Sequence, residues 1–380
     1  MTKEQEEQEN NKQQEEVDPQ KIEQFISKVI NDLGATSNVA LAFIGDKLGL
    51  YKAMAQTKSG SGITSHELAS VTNTSERYIR DWLAGQVCGG YIKYDPKTDT
   101  YTLPKEHAIA LTDESSPAYV AGAFQLVMSA LKIESKVTQA FRTGGGFDWS
   151  EHDPGFFEGQ ARFSGPNYKA NLVTNWIPSL DGVEEKLKRS GGGGVGAKVA
   201  DIGCGYGIST TLMAKAYPNS KFYGFDNHGP SIEQAKDQLR QEEEKEERKI
   251  GNVEFNAESA NDESIGNDYD LVTFFDCLHD MADPVGVMKF AKNSLKPDAT
   301  CMIIEPMAND KLEENLNVVG RTFYAASTLV CVPNSLADNG PALGAQAGEK
   351  KIKEIIYAAG FTKFRRATQT LFNIIYEAKP

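Results

Sequence analysis

Val199-Ala200-Asp201-Ile202-Gly203-Cys204-Gly205-Tyr206-Gly207 is the stretch on which the fold reading turns. Its first four residues read as a short buried strand. The glycines that follow let the backbone turn tightly with a ligand pressed against it. Asp201, at the strand end, can accept a hydrogen bond from an ammonium group. A dinucleotide site would place its glycines as G-x-G-x-x-G, whereas here the third glycine comes one residue early and an acid precedes the first.

Strands and helices alternate downstream of this turn. Ser209 to Ala216 reads as a helix, Lys221 to Phe225 as a second strand, and the sequence from Ser231 onward as its helix. Further strands fall at Val253–Phe255, Tyr269–Phe275 and Thr300–Ile304, and Phe361 to Ala378 carries two more strand-like runs. This pattern predicts a mostly parallel sheet with helices on both faces and an antiparallel edge. The second strand ends at Asp226, nineteen positions past Gly207. A carboxylate there can take both hydroxyls of a ribose. The charged run Gln241 to Lys249 reads as a helix end carried into solvent.

Upstream, Ser190 to Gly194 is a glycine run that reads as a domain hinge. Before it, helices are expected over Pro117 to Ala140 and on to about Leu187, around a loop rich in glycine and aromatic residues from Gly144. That connector suits either a pocket wall for a flat apolar ligand or a loop whose rings close an interface. Gly62 to Leu103 reads as helix, turn, helix and hairpin, the order of a winged helix. Thr64 and Thr74 or Ser75 cap its two helices, and Asp95 to Asp99 make the hairpin turn. Two helices precede it, Gln20–Leu33 and Ala40–Met54, each with an apolar stripe. The predicted organisation is an acidic and amide-rich disordered tail (1–19), a helical winged-helix domain (20–115), a helical connector (116–189) and a Rossmann-like domain (190–380).

Composition narrows the function classes. The chain of 380 residues has a net charge of -13, which argues against electrostatic attraction to nucleic acid or anionic membranes. Its five cysteines are widely spaced with no C-x-x-C pair, so neither a zinc site nor a disulfide framework is expected, and no metal site is assigned. The longest apolar stretch, Ala118 to Leu131, is too short to span a bilayer. No signal peptide pattern opens the sequence, and a cytoplasmic protein is expected.

The acid-x-Gly-x-Gly-x-Gly turn, Asp226 and the run Cys277-Leu278-His279-Asp280 resemble those of class I S-adenosyl-L-methionine-dependent methyltransferases. More narrowly, with Asp46 to Met54 and Thr64 to Leu103, the chain is similar to winged-helix small-molecule O-methyltransferases over nearly everything from Gln20 to the end. Gly144-Gly145-Gly146, Ala161 to Pro166 and Ala342 to Gly348 are similar to one subgroup of that family. The resemblance implies a seven-stranded Rossmann-like sheet and S-adenosyl-L-methionine as cofactor. Asp201, Gly203, Gly205 and Gly207 would lie at its methionyl end and Asp226 at its ribose. Glu258 and Ser259 would flank the adenine, and the Phe275 carbonyl would meet its amino group. A small-molecule acceptor and a homodimer through the N-terminal helical domain are also implied.

Methyl transfer to a hydroxyl needs in-line alignment and removal of a proton. Of five histidines, His279 follows the fourth strand at the carboxyl edge of the sheet, where ligands bind in such folds. It matches the family's catalytic histidine, and Glu305 matches the acid that orients it. Met281 stands where the family usually has tryptophan. Two other readings stay open: a relative that binds the cofactor without methylating, and a winged-helix regulator that binds DNA. The helix Glu76 to Gln86 sets Arg77 and Arg80 against Glu76 and Asp81, a poor complement for DNA.

Overall fold

The computed structural model describes residues 17–57, 62–189 and 196–380. The tail expected over 1–19 lies outside these up to residue 16, as does the glycine hinge at Ser190 to Gly194. The described residues form two compact units that meet in sequence at His107/Ala108. The sequence reading put that boundary at 115/116 and set 116–189 apart, whereas here the segment belongs to the second unit.

The first unit opens with α1 (Pro19–Lys47), one helix of 29 residues where two were expected. Asp18 caps it by accepting the Gln20 N–H, and Pro19 stands in the first turn. Gly34 and the Thr36-Ser37-Asn38 run weaken helix propensity, but no proline interrupts it, and tertiary contacts hold its second half. The Leu41 carbonyl accepts the Trp82 indole N–H at 2.8 Å. Gln86 donates to Asn38 at 2.8 Å and accepts from the Tyr51 hydroxyl at 2.6 Å. The first half is different: Ile22, Phe25, Ile26, Val29, Ile30 and Leu33 are all exposed.

After α2 (Leu50–Ala55) comes the winged helix proper, α3 (Ser65–Val71) and α4 (Glu76–Cys88), then β1 (Lys93–Asp95) and β2 (Thr100–Thr102). Thr64 and Glu67 form a reciprocal capping box on α3. The antiparallel wing is extended by a bridge from Ile63 to Tyr101. The helix α5 (Lys105–Thr112) carries the division between the units.

The second unit begins with α6 (Ala121–Ala130), α7 (Glu134–Thr143), α8 (Pro154–Asn171) and α9 (Val183–Lys188). Its sheet has seven strands: β3 (Lys198–Ile202), β4 (Lys221–Asp226), β5 (Val253–Ala257), β6 (Tyr269–Phe275), β7 (Leu295–Pro306), β8 (Lys363–Gln369) and β9 (Asn373–Lys379). The helices α10 (Ile208–Ala216), α11 (Gly229–Glu246), α12 (Pro284–Ser294), α13 (Val318–Ala326), α14 (Val332–Ala337) and α15 (Gly348–Ala358) complete it. Strand order is β5-β4-β3-β6-β7-β9-β8. The strands β3 to β7 pair in parallel and β9 runs antiparallel to both neighbours, as the pattern predicted.

Alternate residues of the central strands enter two cores, one on each face of the sheet. Val199, Leu271, Met302 and Ile304 pack with Trp176 and Met213. Ala200, Val272, Phe274 and Ile303 pack with Met288 and Ile352. Strand order reverses between β3 and β6, and such a switch point opens a crevice at the carboxyl ends of the strands. Among the described residues no helix is long and apolar enough to cross a membrane.

Phe274 is fully buried in β6, so Phe274→Ala should destabilise the second unit by about 3–5 kcal/mol. Phe141→Ala, on the exposed face of α7, should stay within about 0.5 kcal/mol of wild type. Urea unfolding followed by circular dichroism checks both, and equal effects would contradict this account of the core.

Candidate functional site

The glycine turn joins β3 to α10. Gly205 has φ +52°, a left-handed value, and nothing lies within 4 Å of where its Cβ would stand. A side chain there would be strained by the backbone rather than by any neighbour. At Gly207 (φ +71°) a Cβ would stand 2.5 Å from the Phe255 ring, so a side chain there would push α10 off the sheet.

Asp201 sits beneath this turn, fully buried. Its Oδ2 accepts from Ser209 (2.7 Å) and Thr210 (2.6 Å), and its Oδ1 from Thr273 (2.9 Å). Burial pushes its carboxyl up to about 6 despite those three hydroxyls. The side chain therefore ties the first turn of α10 to β3 and β6. Asp226 ends β4 half-buried, its oxygens accepting the Gly205 and His228 N–H groups at 2.8 Å each. It thus fixes the glycine turn from across the strand gap. Gly203 is tied to the same strand through the Phe225 carbonyl (2.8 Å).

Glu258 and Ser259 follow β5, half-buried and exposed respectively, and the Glu258 N–H donates to the Asp226 carbonyl at 3.0 Å. Phe275 closes β6 and packs its ring on Tyr168, centroids 5.2 Å apart. Asp276, next in the chain, takes φ +51°, and its carboxylate accepts from Tyr168 Oη (2.9 Å) and Asn373 Nδ2 (2.8 Å). Burial raises Asp276 to about 7, with the Glu305 charge adding to the rise. Asp201, Gly203, Gly205, Gly207, Asp226, Glu258 and Phe275 therefore share one edge of the sheet.

The histidine lies on the same edge. Parallel pairing puts Phe275 opposite Ile304, so the ends of β6 and β7 are level. His279 and Glu305 are 3% and 4% exposed, and His279 Nδ1 lies 2.7 Å from Glu305 Oε2. A carboxylate can only accept, so Nδ1 carries a proton, and Nε2 has a lone pair only when the ring is neutral. Burial alone would lower the histidine, but the Glu305 carboxylate and Cys331 together outweigh it and hold His279 well above its usual value. Asp280 is raised to about 7, chiefly by burial. Met281 packs into the second of the two cores.

Sequence reasoning missed what faces Nε2. The Cys331 thiol lies 3.3 Å from it, delivered by a π-helical turn (Ser327–Cys331) between α13 and α14. Nothing local marks Cys331, which stands 52 positions from His279 in an apolar run. A cavity of about 520 Å³ lies beside the turn, lined by Tyr119, Glu158, Arg162, Lys169, Tyr206 and Ile208. Tyr206 of the glycine turn lines it, whereas Asp226 and His279 do not.

Glu305→Gln should remove the largest of the contributions that favour the imidazolium and so lower the His279 midpoint. A pH titration of the ring by NMR reads this directly. An unchanged midpoint would mean that Glu305 does not set the histidine's charge.

Residues 36–113 match the model of the Rv2258c-like winged HTH domain, and residues 194–360 match that of the Methyltransferase domain. No curated protein matches the chain. Among solved structures, a candidate O-methyltransferase from Nostoc punctiforme is 20% identical with a TM-score of 0.69, covering 93% of this chain and 99% of that one. Human N-acetylserotonin methyltransferase, solved in complex with SAM, is 15% identical with a TM-score of 0.68, covering 96% and 99%. An O-methyltransferase family protein from Burkholderia thailandensis is 15% identical with a TM-score of 0.67, covering 93% and 97%. These likenesses establish the fold, and the two domain matches name its parts: the chain carries an Rv2258c-like winged helix-turn-helix domain followed by a methyltransferase domain of the class I fold.

Proposed function

We propose that this methyltransferase uses S-adenosyl-L-methionine to methylate a small molecule at oxygen, with His279 as general base and Glu305 orienting it. The observation that carries the reading is the Glu305–His279 pair at the strand edge that also holds the glycine turn and Asp226. The residues fit the cofactor: Gly205 leaves open space at a left-handed backbone position, and Asp226 offers a carboxylate at the next strand end.

In this reading Asp226 holds the ribose, Glu258 and Ser259 flank the adenine, and the Phe275 carbonyl meets its amino group. Gly203, Gly205 and Gly207 let backbone approach the methionyl end, and Asp201 acts by holding the turn in shape. The bound cofactor supplies an electrophilic methyl group on a cationic sulfonium. His279, fixed through Nδ1, takes the acceptor's hydroxyl proton at Nε2, where the acceptor displaces the Cys331 thiol. Glu305 stabilises the imidazolium that forms, and the base form requires pH above the raised histidine value.

The first domain is assigned to assembly rather than DNA reading. On α4, Arg77 pairs with Asp81 (2.7 Å) and Arg80 with Glu76 (2.6 Å), which leaves the helix no surplus positive charge. The exposed apolar row Ile22 to Leu33 on α1 suits pairing with a second copy of the chain.

Calorimetric titration with S-adenosylhomocysteine tests the cofactor site. Asp226→Ala should weaken binding by about tenfold or more, while His279→Ala should keep binding and lose roughly 10²–10⁴-fold in turnover on phenolic acceptors. Unaltered affinity in Asp226→Ala would falsify the ribose assignment, and full turnover in His279→Ala would remove the base.

For assembly, light scattering should give wild type twice the monomer mass and Phe25→Glu/Ile30→Glu the monomer mass, with helix content unchanged. A monomeric wild type would end the dimer proposal.

A further inference from the structure

A second histidine lies buried near this edge and has no role in the reaction described above. His152, just before α8, is 4% exposed, yet neither ring nitrogen has a hydrogen-bond partner among the described residues. Its ring stacks on Phe156 at 4.6 Å and meets the edges of Phe147 and Trp149 at 5.5 Å each. A polar group buried without a partner is disfavoured, so such a pair of nitrogens surrounded by rings calls for an occupant.

The surroundings say which kind. Phe156 and Phe157 belong to one apolar cluster with Val330 and Cys331, and Cys331 is the residue on His279 Nε2. On its other side Phe157 stacks on His228 at 4.4 Å, and the His228 backbone donates to Asp226. The aromatic cluster therefore reaches both the base and the ribose carboxylate. The glycine loop before His152 is pressed onto the same wall: a Cβ on Gly146 would stand 1.9 Å from the Pro333 carbonyl, and Phe147 N–H donates to that carbonyl at 3.2 Å.

The nearby charges are engaged elsewhere. Lys136 pairs with Glu151 (2.7 Å), Lys132 pairs with Asp153 (2.8 Å), and Asp148 caps the turn at Ser150. Burial pushes His152 down to about 4, so at neutral pH its ring is uncharged and offers one donor and one acceptor. Such a group discriminates by hydrogen bonding and leaves charge unread.

We propose that His152 anchors the methyl acceptor, and that the acceptor is a flat, uncharged aromatic molecule with a second hydroxyl or carbonyl remote from the oxygen that is methylated. The rings of Trp149, Phe156 and Phe157 move apart to admit it, and His152 bonds the remote polar group. The reacting hydroxyl takes the place of the Cys331 thiol. This rests on His279 being the site of methyl transfer, and it adds a specificity residue that the reaction itself does not require.

The test uses the full chain saturated with S-adenosylhomocysteine and compares 2-naphthol with the 1,5-, 2,6- and 2,7-dihydroxynaphthalenes by calorimetry. In wild type at least one diol should bind about tenfold more tightly than 2-naphthol. His152→Phe should retain 2-naphthol affinity within about twofold and lose the advantage of the diol, whereas His152→Gln should keep part of it. The His152 ring resonances of wild type should shift with that diol and not with 2-naphthol, a readout that needs no variant to fold. The proposal fails if no diol gains over 2-naphthol in wild type, if His152→Phe keeps the gain, or if the His152 resonances do not respond. Loss of S-adenosylhomocysteine binding in wild type would instead overturn the cofactor reading, and is seen before any naphthol is added.

Discussion

Parallel pairing of β4, β3, β6 and β7 delivers four strand ends to one edge, and the arrangement of the candidate site depends on that alignment. Each strand must leave the sheet there by a turn, and each turn exposes backbone and side chains beside those of its neighbours. Asp201 makes the arrangement rigid. Its three hydroxyl partners come from α10 and β6, so one carboxylate joins the helix after the turn to the strand leading to His279. Asp226 repeats the device from the other side by accepting the Gly205 N–H. The glycine turn is thus held by two acids, one enclosed and one half-buried.

Enclosing acids has an electrostatic consequence. Asp201, Asp276 and Asp280 are all raised, to about 6, 7 and 7, because burial disfavours their charged forms. Asp276 also feels Glu305, so the edge resists holding every carboxylate ionised at once. His279 relieves this, since its imidazolium is the one buried cation beside Glu305 among the described groups. The second Glu305 oxygen, Oε1, has no hydrogen-bond partner among the described residues. A buried acceptor left open beside His279 is a costly feature of the kind found where a site is organised for reaction.

The long α1 helix serves two physical ends. Its second half is core: Trp82 and Gln86 reach it from α4, and a Cβ on Gly45 would meet the Trp82 ring at 2.5 Å. Its first half carries an equally apolar stripe with nothing described against it; Phe25 is 66% exposed. The periodicity of the two halves is alike, so amphipathicity alone cannot tell a face that packs within the unit from one that stays open to a partner.

The sequence by itself determined the sheet order class, the glycine turn, the winged-helix order and the residues that meet at the strand edge. The first three rest on local rules, namely period-2 burial, positive-φ glycines and capping boxes, while Glu258, Ser259, Phe275 and Glu305 came from the family resemblance. It did not determine that Asp201 is enclosed by three hydroxyls, because Ser209, Thr210 and Thr273 acquire that role only when α10 and β6 pack. Nor could it show that α1 is continuous through Gly34, since contacts far along the chain offset a weak propensity. The partners of Cys331 and the isolation of His152 were invisible for the same reason. Hydrogen bonding between residues distant in sequence, and the burial that gives each bond its weight, are properties of the packed chain and of no local stretch within it.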